Sequence, residues 1–218
     1  IESTGAQGLY WNRRYGPGER AQDTRIKQHW RAEGLEVQSF DGTLLHEPWH
    51  VVKSDGFPYE VYSAFWRASR EQGEPRPPLP VPPSLRGAVA AIHSDALESW
   101  KLRPQAPDWS AGLAEAWMPG ETGAAARVKD FLDGLDEYGA HRDEPGLDVT
   151  SHLSPHLRFG EVSPHQLWHA IVAGQSGPAV DRFASELGWR EFNYSLLFHH
   201  EDLAEKNLRP AFDRMPWQ

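Results

Sequence analysis

The stretch Thr150–Pro164, TSHLSPHLRFGEVSP, decides how the second half of the chain is interpreted, because it contains two helix starts. Ser154 and Ser163 are each followed by proline, so serine stands at the N-cap and proline at the first helical position. At the second start, Gln166 completes a capping box with Ser163. The first start has no such partner and therefore stays open.

The open start at Ser154 is a candidate anion site. Its free N–H groups, together with the hydroxyls of Thr150, Ser151 and Ser154 itself, would suit an anion such as a pyrophosphate. A plain loop-to-helix junction accounts for the same pattern without any ligand. Spacing alone leaves both interpretations open.

The second informative stretch is ELGWREF, residues 186–192, inside a helix predicted over Val180–His199. At about 100° per residue, one helix face forms a core stripe of Val180, Phe183, Ala184, Leu187, Tyr194 and Phe198. An adjacent face carries Glu186, Trp189, Arg190 and Asn193. A carboxylate, an indole and a guanidinium together could stack on a ring and hydrogen-bond its edge. The alternative is a surface helix with a Glu186–Arg190 ion pair, worth about 0.3–0.5 kcal/mol.

Toward the N-terminus, the pattern predicts a strand, a helix and a second strand, which is the end of an α/β unit. These elements are predicted at Leu9–Trp11, at Glu19–Glu33 (stopped by Gly34) and at Leu35–Phe40. A further helix is predicted over Pro58–Arg70, with Val61, Phe65 and Trp66 facing inward.

The middle of the chain separates this α/β part from a helical part. Nine residues, 75–83, include so many prolines that they cannot hold a helix or a central strand, which predicts an extended connector. The pattern between residues 85 and 116 is irregular, and from Gly120 onward it is helical. We therefore expect three parts: 1–55, 56–119 and 120–218.

Composition excludes several classes of protein. The 218 residues carry a net charge of −9 and no cysteine, which excludes disulfide scaffolds, thiolate zinc sites and cysteine nucleophiles. No apolar run approaches the ~20 residues of a membrane span, and no signal peptide opens the sequence, so we expect a cytoplasmic protein without a membrane partner. The acidic total argues against a general nucleic-acid coat but allows a local basic site. Because the sequence starts at Ile1 in the middle of a fold pattern, we expect an internal fragment.

Together, TSHLSPHLRFGEVSP and ELGWREF resemble the DNA photolyase/cryptochrome family. WNRRYGPGERAQD, residues 11–23, is similar to the last part of that family's antenna-binding domain. The resemblance covers the whole chain, and the form of ELGWREF looks closest to the bacterial class I cyclobutane pyrimidine dimer (deoxyribodipyrimidine) photolyases. It implies the α/β tail of an antenna-binding (Rossmann-like) domain followed by a mainly α-helical FAD-binding domain, predominantly helical overall.

The resemblance implies that FAD binds in the helical domain. Its reduced form would absorb light and pass an electron to a cyclobutane pyrimidine dimer flipped out of UV-damaged DNA, which then splits. The positions that match the family's cofactor site are Tyr138, Thr150, Ser151, His152, Leu153, Ser154 and Phe183. His152 stands where the family more often has arginine.

The same resemblance implies DNA contacts at Arg142, Glu186, Trp189, Arg190 and Asn193. Glu186 and Trp189 are the candidate catalytic residues. Glu186 would hydrogen-bond the dimer and stabilise its radical anion, which needs a protonated or proton-sharing carboxyl in a partly buried site. Trp189 would stack on the flipped dimer, and flipping costs least for a damaged pair.

Glu19 matches a position that contacts a folate antenna in some family members, so a second antenna chromophore of folate or deazaflavin type is a further expectation. The histidines form no convincing metal-ligand set, and we expect a monomer. Two alternatives stay open: a cryptochrome-type flavin photosensor without repair activity, and a folded fragment that binds no flavin. The presence of both Glu186 and Trp189 favours repair.

Overall fold

The computed structural model describes residues 1, 4–85, 87 and 93–216 of the chain. Strands β1 (Gly8–Asn12) and β2 (Glu36–Phe40) form a two-stranded parallel sheet in which Leu9 lies opposite Val37. Helix α1 (Pro17–Ala32) connects them. The predicted strand–helix–strand order is confirmed, and Gly34 adopts a φ of 84° just after the helix, a conformation that glycine takes at low cost.

Helix α1 begins two residues before the predicted start at Glu19. Pro17 lies before the predicted start, but proline fits the first turn of a helix because its missing N–H would have no partner there.

Helix α2 (Tyr62–Glu71) begins four residues after the predicted start at Pro58. Pro58 instead lies in extended backbone and forms an isolated antiparallel bridge with Val52. Phe65 is buried and Trp66 packs against the core, as predicted. The prediction that Val61 faces inward is wrong: its side chain is exposed, because the residue precedes the helix as its N-cap.

Residues 75–83 contain no helix or strand, as their proline content predicts. The connector is held from both sides. Arg76 donates to the carbonyl oxygen of Asp41 (2.8 Å), and His169 Nε2 donates to the carbonyl oxygens of Pro75 and Arg76 (3.0 and 3.1 Å). Within the described part of the irregular region lie a 3₁₀ turn, Leu97–Trp100, and the short helix α3 (Ala111–Ala116), while positions 86 and 88–92 are outside the described residues.

The remaining residues are mainly helical, as predicted. The helices are α4 (Glu121–Asp133), α5 (Leu135–His141), α6 (Ser154–Phe159), α7 (Pro164–Leu167), which continues as a π-helical turn over Trp168–Val172, and α8 (Pro178–His199); a 3₁₀ turn, Pro210–Arg214, follows. The capping box at α7 is confirmed: Gln166 N donates to Ser163 Oγ (3.1 Å), and Ser163 N donates to Gln166 Oε1 (2.8 Å). At α6 the cap is Leu153, so Ser154 is the first helical residue and not the predicted N-cap.

The core stripe of α8 is confirmed in its first half only. Val180, Phe183, Ala184 and Leu187 are buried in the main core, which also contains Trp168. Farther along, the predicted Tyr194 and Phe198 are half-buried, and the buried side chains are instead Glu191, Phe192, Ser195 and Leu196. The buried face shifts because this half of α8 packs against α2 and Val51 in a second cluster.

Among the described residues, no helix is both long and apolar enough to cross a lipid bilayer.

Candidate functional site

A cavity of about 400 Å³ lies between the start of α6 and the middle of α8. It brings together seven of the residues that the sequence analysis singled out: Ser151, Leu153, Ser154, Phe183, Glu186, Arg190 and Asn193. The two informative sequence stretches therefore meet in one space. Thr150, His152, Tyr138, Arg142, Trp189 and Glu19 lie outside its lining.

The α6 side of the cavity offers hydrogen-bond donors. The first helical bond of α6 runs from Leu157 N to Leu153 O (2.9 Å), so the N–H groups of Ser154 and His156 precede the helical ladder. Arg127 fixes the preceding loop by donating to the carbonyl oxygens of Ser151 (3.0 Å) and Thr150 (3.3 Å). Ser151 and Ser154 thus line the cavity on a held backbone, and Ser151 Oγ accepts from Leu153 N (3.4 Å).

His152 and Thr150 do not line the cavity and interact with other residues instead. His152 has a φ of 52°, and its Nε2 lies 2.5 Å from Asp148 Oδ1 and 3.3 Å from Thr150 Oγ1. This hydrogen bond lowers the pKa of the Asp148 carboxyl. The imidazole of His152 is therefore engaged with a neighbouring carboxylate and not with the cavity.

Arg142 joins α5 to α8. Its Nη1 donates to the hydroxyl of Tyr138 (2.9 Å) and lies 2.6 Å from Glu186 Oε1. Tyr138 is buried against Phe183, with ring centroids 6.3 Å apart, and burial raises the pKa of its hydroxyl. Arg142 thereby links a buried aromatic residue at the back of the cavity to a carboxylate at its rim.

The Glu186–Arg190 ion pair of the alternative interpretation does not form, because Glu186 pairs with Arg142 and Arg190 pairs with Glu191 (3.0 Å). The side chain of Glu186 is 44% exposed, which differs from the partly buried setting expected for a proton-sharing carboxyl. A carboxylate beside a guanidinium at this distance acts as a hydrogen-bond acceptor.

Glu191 is a buried carboxyl that the sequence analysis did not single out. It accepts hydrogen bonds from Leu45 N (2.7 Å) and His46 N (3.4 Å) and contacts Arg190. Burial raises its pKa to about 7. The guanidinium of Arg190 also lies over the Tyr194 ring at 4.9 Å, so Arg190 is held on two sides where it lines the cavity.

Trp189 lies outside the cavity lining and remains 43% exposed. Its indole is stacked on the ring of Tyr62, with centroids 3.7 Å apart and planes 9° apart. Tyr62 was not singled out, because it stands far away in the sequence and no local pattern relates the two rings.

Glu19 lines a separate, larger cavity of about 770 Å³ between the α/β part and helices α4, α6 and α7. Arg14, Arg158 and Arg190 also line it, so Arg190 borders both cavities. One oxygen of Glu19 accepts from Gly16 N (3.3 Å), which satisfies a donor at the start of α1.

Comparisons with known proteins agree with this architecture. A family model described as DNA photolyase matches residues 1–84. The deoxyribodipyrimidine photo-lyase of Agrobacterium fabrum is 45% identical over 222 residues, covering 100% of this chain and 46% of that protein. Cryptochrome-1 of Arabidopsis thaliana is 32% identical over 231 residues, covering 100% of this chain and 34% of that protein.

Among solved structures, a bacterial class III photolyase from Agrobacterium tumefaciens matches with a TM-score of 0.93 and 44% identity, covering 100% of this chain and 46% of that one. That relative is a class III enzyme, whereas the form of ELGWREF pointed to class I. The chain spans about half the length, or less, of these three relatives. Because the matches run through the whole of this chain, they show that it belongs to the DNA photolyase/cryptochrome family.

Proposed function

We propose that this chain is part of a light-driven DNA repair enzyme, a deoxyribodipyrimidine photo-lyase. The observation that carries the proposal is the cavity between α6 and α8, which is lined by Ser151 and Ser154 on one side and by Glu186 and Asn193 on the other. Groups suited to a phosphate-bearing cofactor and groups suited to a base edge therefore share one space. The 45% identity to the A. fabrum photo-lyase supports the same function.

The residues around the cavity fit part of an FAD molecule. Open N–H groups at the start of α6 and two hydroxyls suit its phosphates, and Phe183 offers an aromatic wall. Bound in its reduced form, FAD would supply, on absorbing blue or near-UV light, the electron that splits a pyrimidine dimer. The chain's own contribution is to bind and orient: Ser151 and Ser154 at the phosphates, and Tyr138 behind Phe183.

On the other side of the cavity, Glu186 and Asn193 would contact the edge of a dimer flipped out of UV-damaged DNA. Arg142 holds Glu186 in place and adds positive charge near the phosphate backbone. The open face of Trp189 would stack on a base or on the flipped dimer. Where negative charge develops on the dimer, Glu186 would stabilise it as a hydrogen-bond donor, a role that requires its carboxyl to carry a proton.

We propose three finer assignments as well. The α/β part, residues 1–55, would be the end of an antenna-binding domain, with residues 56–119 as the connector and 120–218 as the start of the FAD-binding domain. The larger cavity beside Glu19 would take an antenna chromophore. The 44% identity to a class III photolyase supports class III over class I.

A flavin photosensor of cryptochrome type is the second candidate, favoured by the 32% identity to Cryptochrome-1. One experiment separates the two functions. The full-length protein is purified, its flavin absorption is recorded, and an oligonucleotide with one thymine dimer is illuminated with it under blue light. Conversion of the dimer to monomers supports repair, and bound flavin without conversion supports the photosensor. Absence of flavin after reconstitution with FAD would overturn both.

A further inference from the structure

The ring of Tyr62 covers one face of the Trp189 indole. The centroids are 3.7 Å apart and the planes deviate by only 9°, which is a close parallel stack. Trp189 is nevertheless 43% exposed, so the covered face accounts for only part of its surface. Tyr62 therefore covers one face of the indole, while the residue as a whole stays accessible from solution.

Tyr62 is itself held by α8. Its hydroxyl donates to the carbonyl oxygen of Ser185 (2.8 Å) and lies 2.7 Å from Ser185 Oγ. Phe192 packs edge-on against both rings, at 6.0 Å from Tyr62 and 5.9 Å from Trp189. The first residue of α2 is thus fixed to the helix that carries Trp189, one turn before that residue.

We infer that Tyr62 is a positioning residue: it holds the Trp189 ring at a fixed angle so that one flat face is ready for a flipped pyrimidine dimer. The inference rests on the proposed function, in which Trp189 stacks on the lesion. An exposed tryptophan without a partner would populate several rotamers and lose that freedom on binding. Ordering one such side chain before binding removes a cost that otherwise weakens the complex.

The test uses the full-length protein and measures the affinity for dimer-containing and undamaged DNA of the same sequence. Tyr62→Leu removes the stack, and the affinity for damaged DNA should fall about 2- to 10-fold, which is the cost of immobilising one side chain. The affinity for undamaged DNA should stay within about 2-fold of the wild type, because a backbone contact needs no stacking face. Tyr62→Phe keeps the ring and should stay near the wild type in both affinities. Tyr10→Leu, at an exposed tyrosine of β1, is the matched control.

A double-mutant cycle with Trp189→Ala separates this inference from the proposed function. Trp189→Ala should itself lower the ratio of damaged to undamaged affinity, and adding Tyr62→Leu should lower it no further. An unchanged ratio in Trp189→Ala overturns the proposed role of Trp189. A lowered ratio in Trp189→Ala with an unchanged ratio in Tyr62→Leu overturns only the inference.

A further loss when Tyr62→Leu is added to Trp189→Ala would also overturn the inference, because Tyr62 would then contact the lesion itself. If Tyr62→Leu does not fold, Tyr62→Met makes the same comparison, since it keeps an apolar side chain but has no flat face. A fall in melting temperature with an unchanged affinity ratio in either variant counts against the inference, because it shows a purely structural role.

Discussion

Glu191 is a carboxyl group 3% exposed, held by two backbone N–H groups and one guanidinium. Removing a carboxylate from water is unfavourable, and these donors compensate for only part of that cost, so the pKa rises to about 7 from an ordinary value of 4.5. The residue ties the loop at Leu45 to α8 and orients Arg190 at the edge of both cavities. Its titration therefore affects stability and the site together.

A pH dependence of stability follows from this shift. Because the folded pKa of Glu191 lies above the unfolded value, its contribution to stability is complete below pH 4.5 and is lost as the pH rises through about 7. The loss in the free energy of unfolding is about 3 kcal/mol across that window. Glu191→Gln should remove this part of the pH slope, measured by chemical denaturation of the full-length protein at several pH values. Glu205→Gln, at an exposed position, should keep the wild-type slope, and identical slopes in all three proteins would contradict the prediction.

Arg142 gives a second prediction at this scale, because it contacts both Tyr138 and Glu186. If it also contacts a DNA phosphate, Arg142→Gln should reduce the slope of log affinity against log salt by about one. The change in slope should be the same for damaged and undamaged DNA, since a backbone contact carries no sequence information. The check is a salt titration of binding, with Lys129→Gln on α4 as the control.

The double variant Arg142→Gln/Glu186→Gln refines this test. Removing the unpaired negative charge should recover part of the lost affinity without restoring the slope, because the phosphate contact is still missing. An unchanged slope in Arg142→Gln would mean that the guanidinium serves only the ion pair with Glu186.

Between elements, Gly188 sets how closely α8 approaches α2. A Cβ atom placed on Gly188 would lie 2.6 Å from Cε3 of Trp66, well inside van der Waals contact. Trp66 packs in turn against Trp168, with ring centroids 6.3 Å apart. The glycine in ELGWREF therefore lets a tryptophan of α2 lie directly on the helix that carries the candidate site.

Gly188→Ala should destabilise the protein although alanine favours helices. Overpacking a tight contact costs about 1–3 kcal/mol, against roughly 1 kcal/mol gained in helix propensity, so the net loss is up to about 2 kcal/mol. Thermal unfolding of the full-length protein measures the difference. Gly112→Ala in α3 is the matched control, because no described atom lies within 4 Å of its added Cβ, and it should be neutral or slightly stabilising. A raised melting temperature for Gly188→Ala would show that Trp66 can move aside freely.

Local patterns were sufficient to predict most elements. The parallel strands, α1, and α8 follow from alternation, helical periodicity and glycine stops. The predicted start of α2 was wrong because Pro58 is compatible both with a first helical turn and with extended backbone. Only the tertiary bridge to Val52 favours the extended backbone. The prediction of the buried residues was wrong in the second half of α8, because packing against the neighbouring α2 determines which face of the helix is buried there.

The candidate site was predictable only where its parts lie in short motifs. Ser151, Ser154 and Glu186 could be singled out from TSHLSPHL and ELGWREF, and they line one cavity. The contacts that hold the site connect distant segments: Glu191 to Leu45 across 146 residues, and Tyr62 to Ser185 across 123. No periodicity or spacing encodes such pairs, since they arise from tertiary packing.

At the scale of the whole molecule, a net charge of −9 has to be reconciled with a proposed DNA partner. Attraction to phosphate then depends on local positive charge and not on the protein as a whole. Three arginines, Arg142, Arg158 and Arg190, lie at or beside the cavity between α6 and α8, although two of them are paired with glutamates. DNA binding should therefore be localised at these arginines, so that the cofactor and the lesion approach the same cavity.

The last prediction concerns whether that cavity holds the cofactor. In the full-length protein, Ser151→Ala with Ser154→Ala should lower flavin retention, because each hydrogen bond lost to a charged phosphate costs roughly 1.5–3 kcal/mol. Occupancy is measured as the ratio of flavin to protein absorbance after purification, and affinity by titrating the apoprotein with FAD. Ser110→Ala, which removes a hydroxyl that donates to Asp108 away from the cavity, should leave both values unchanged. Equal occupancy in the double variant and the wild type would place the phosphates elsewhere. A fall in occupancy without a matching fall in the melting temperature of the apoprotein would identify these hydroxyls as ligands of the cofactor, because a loss of folding would lower both.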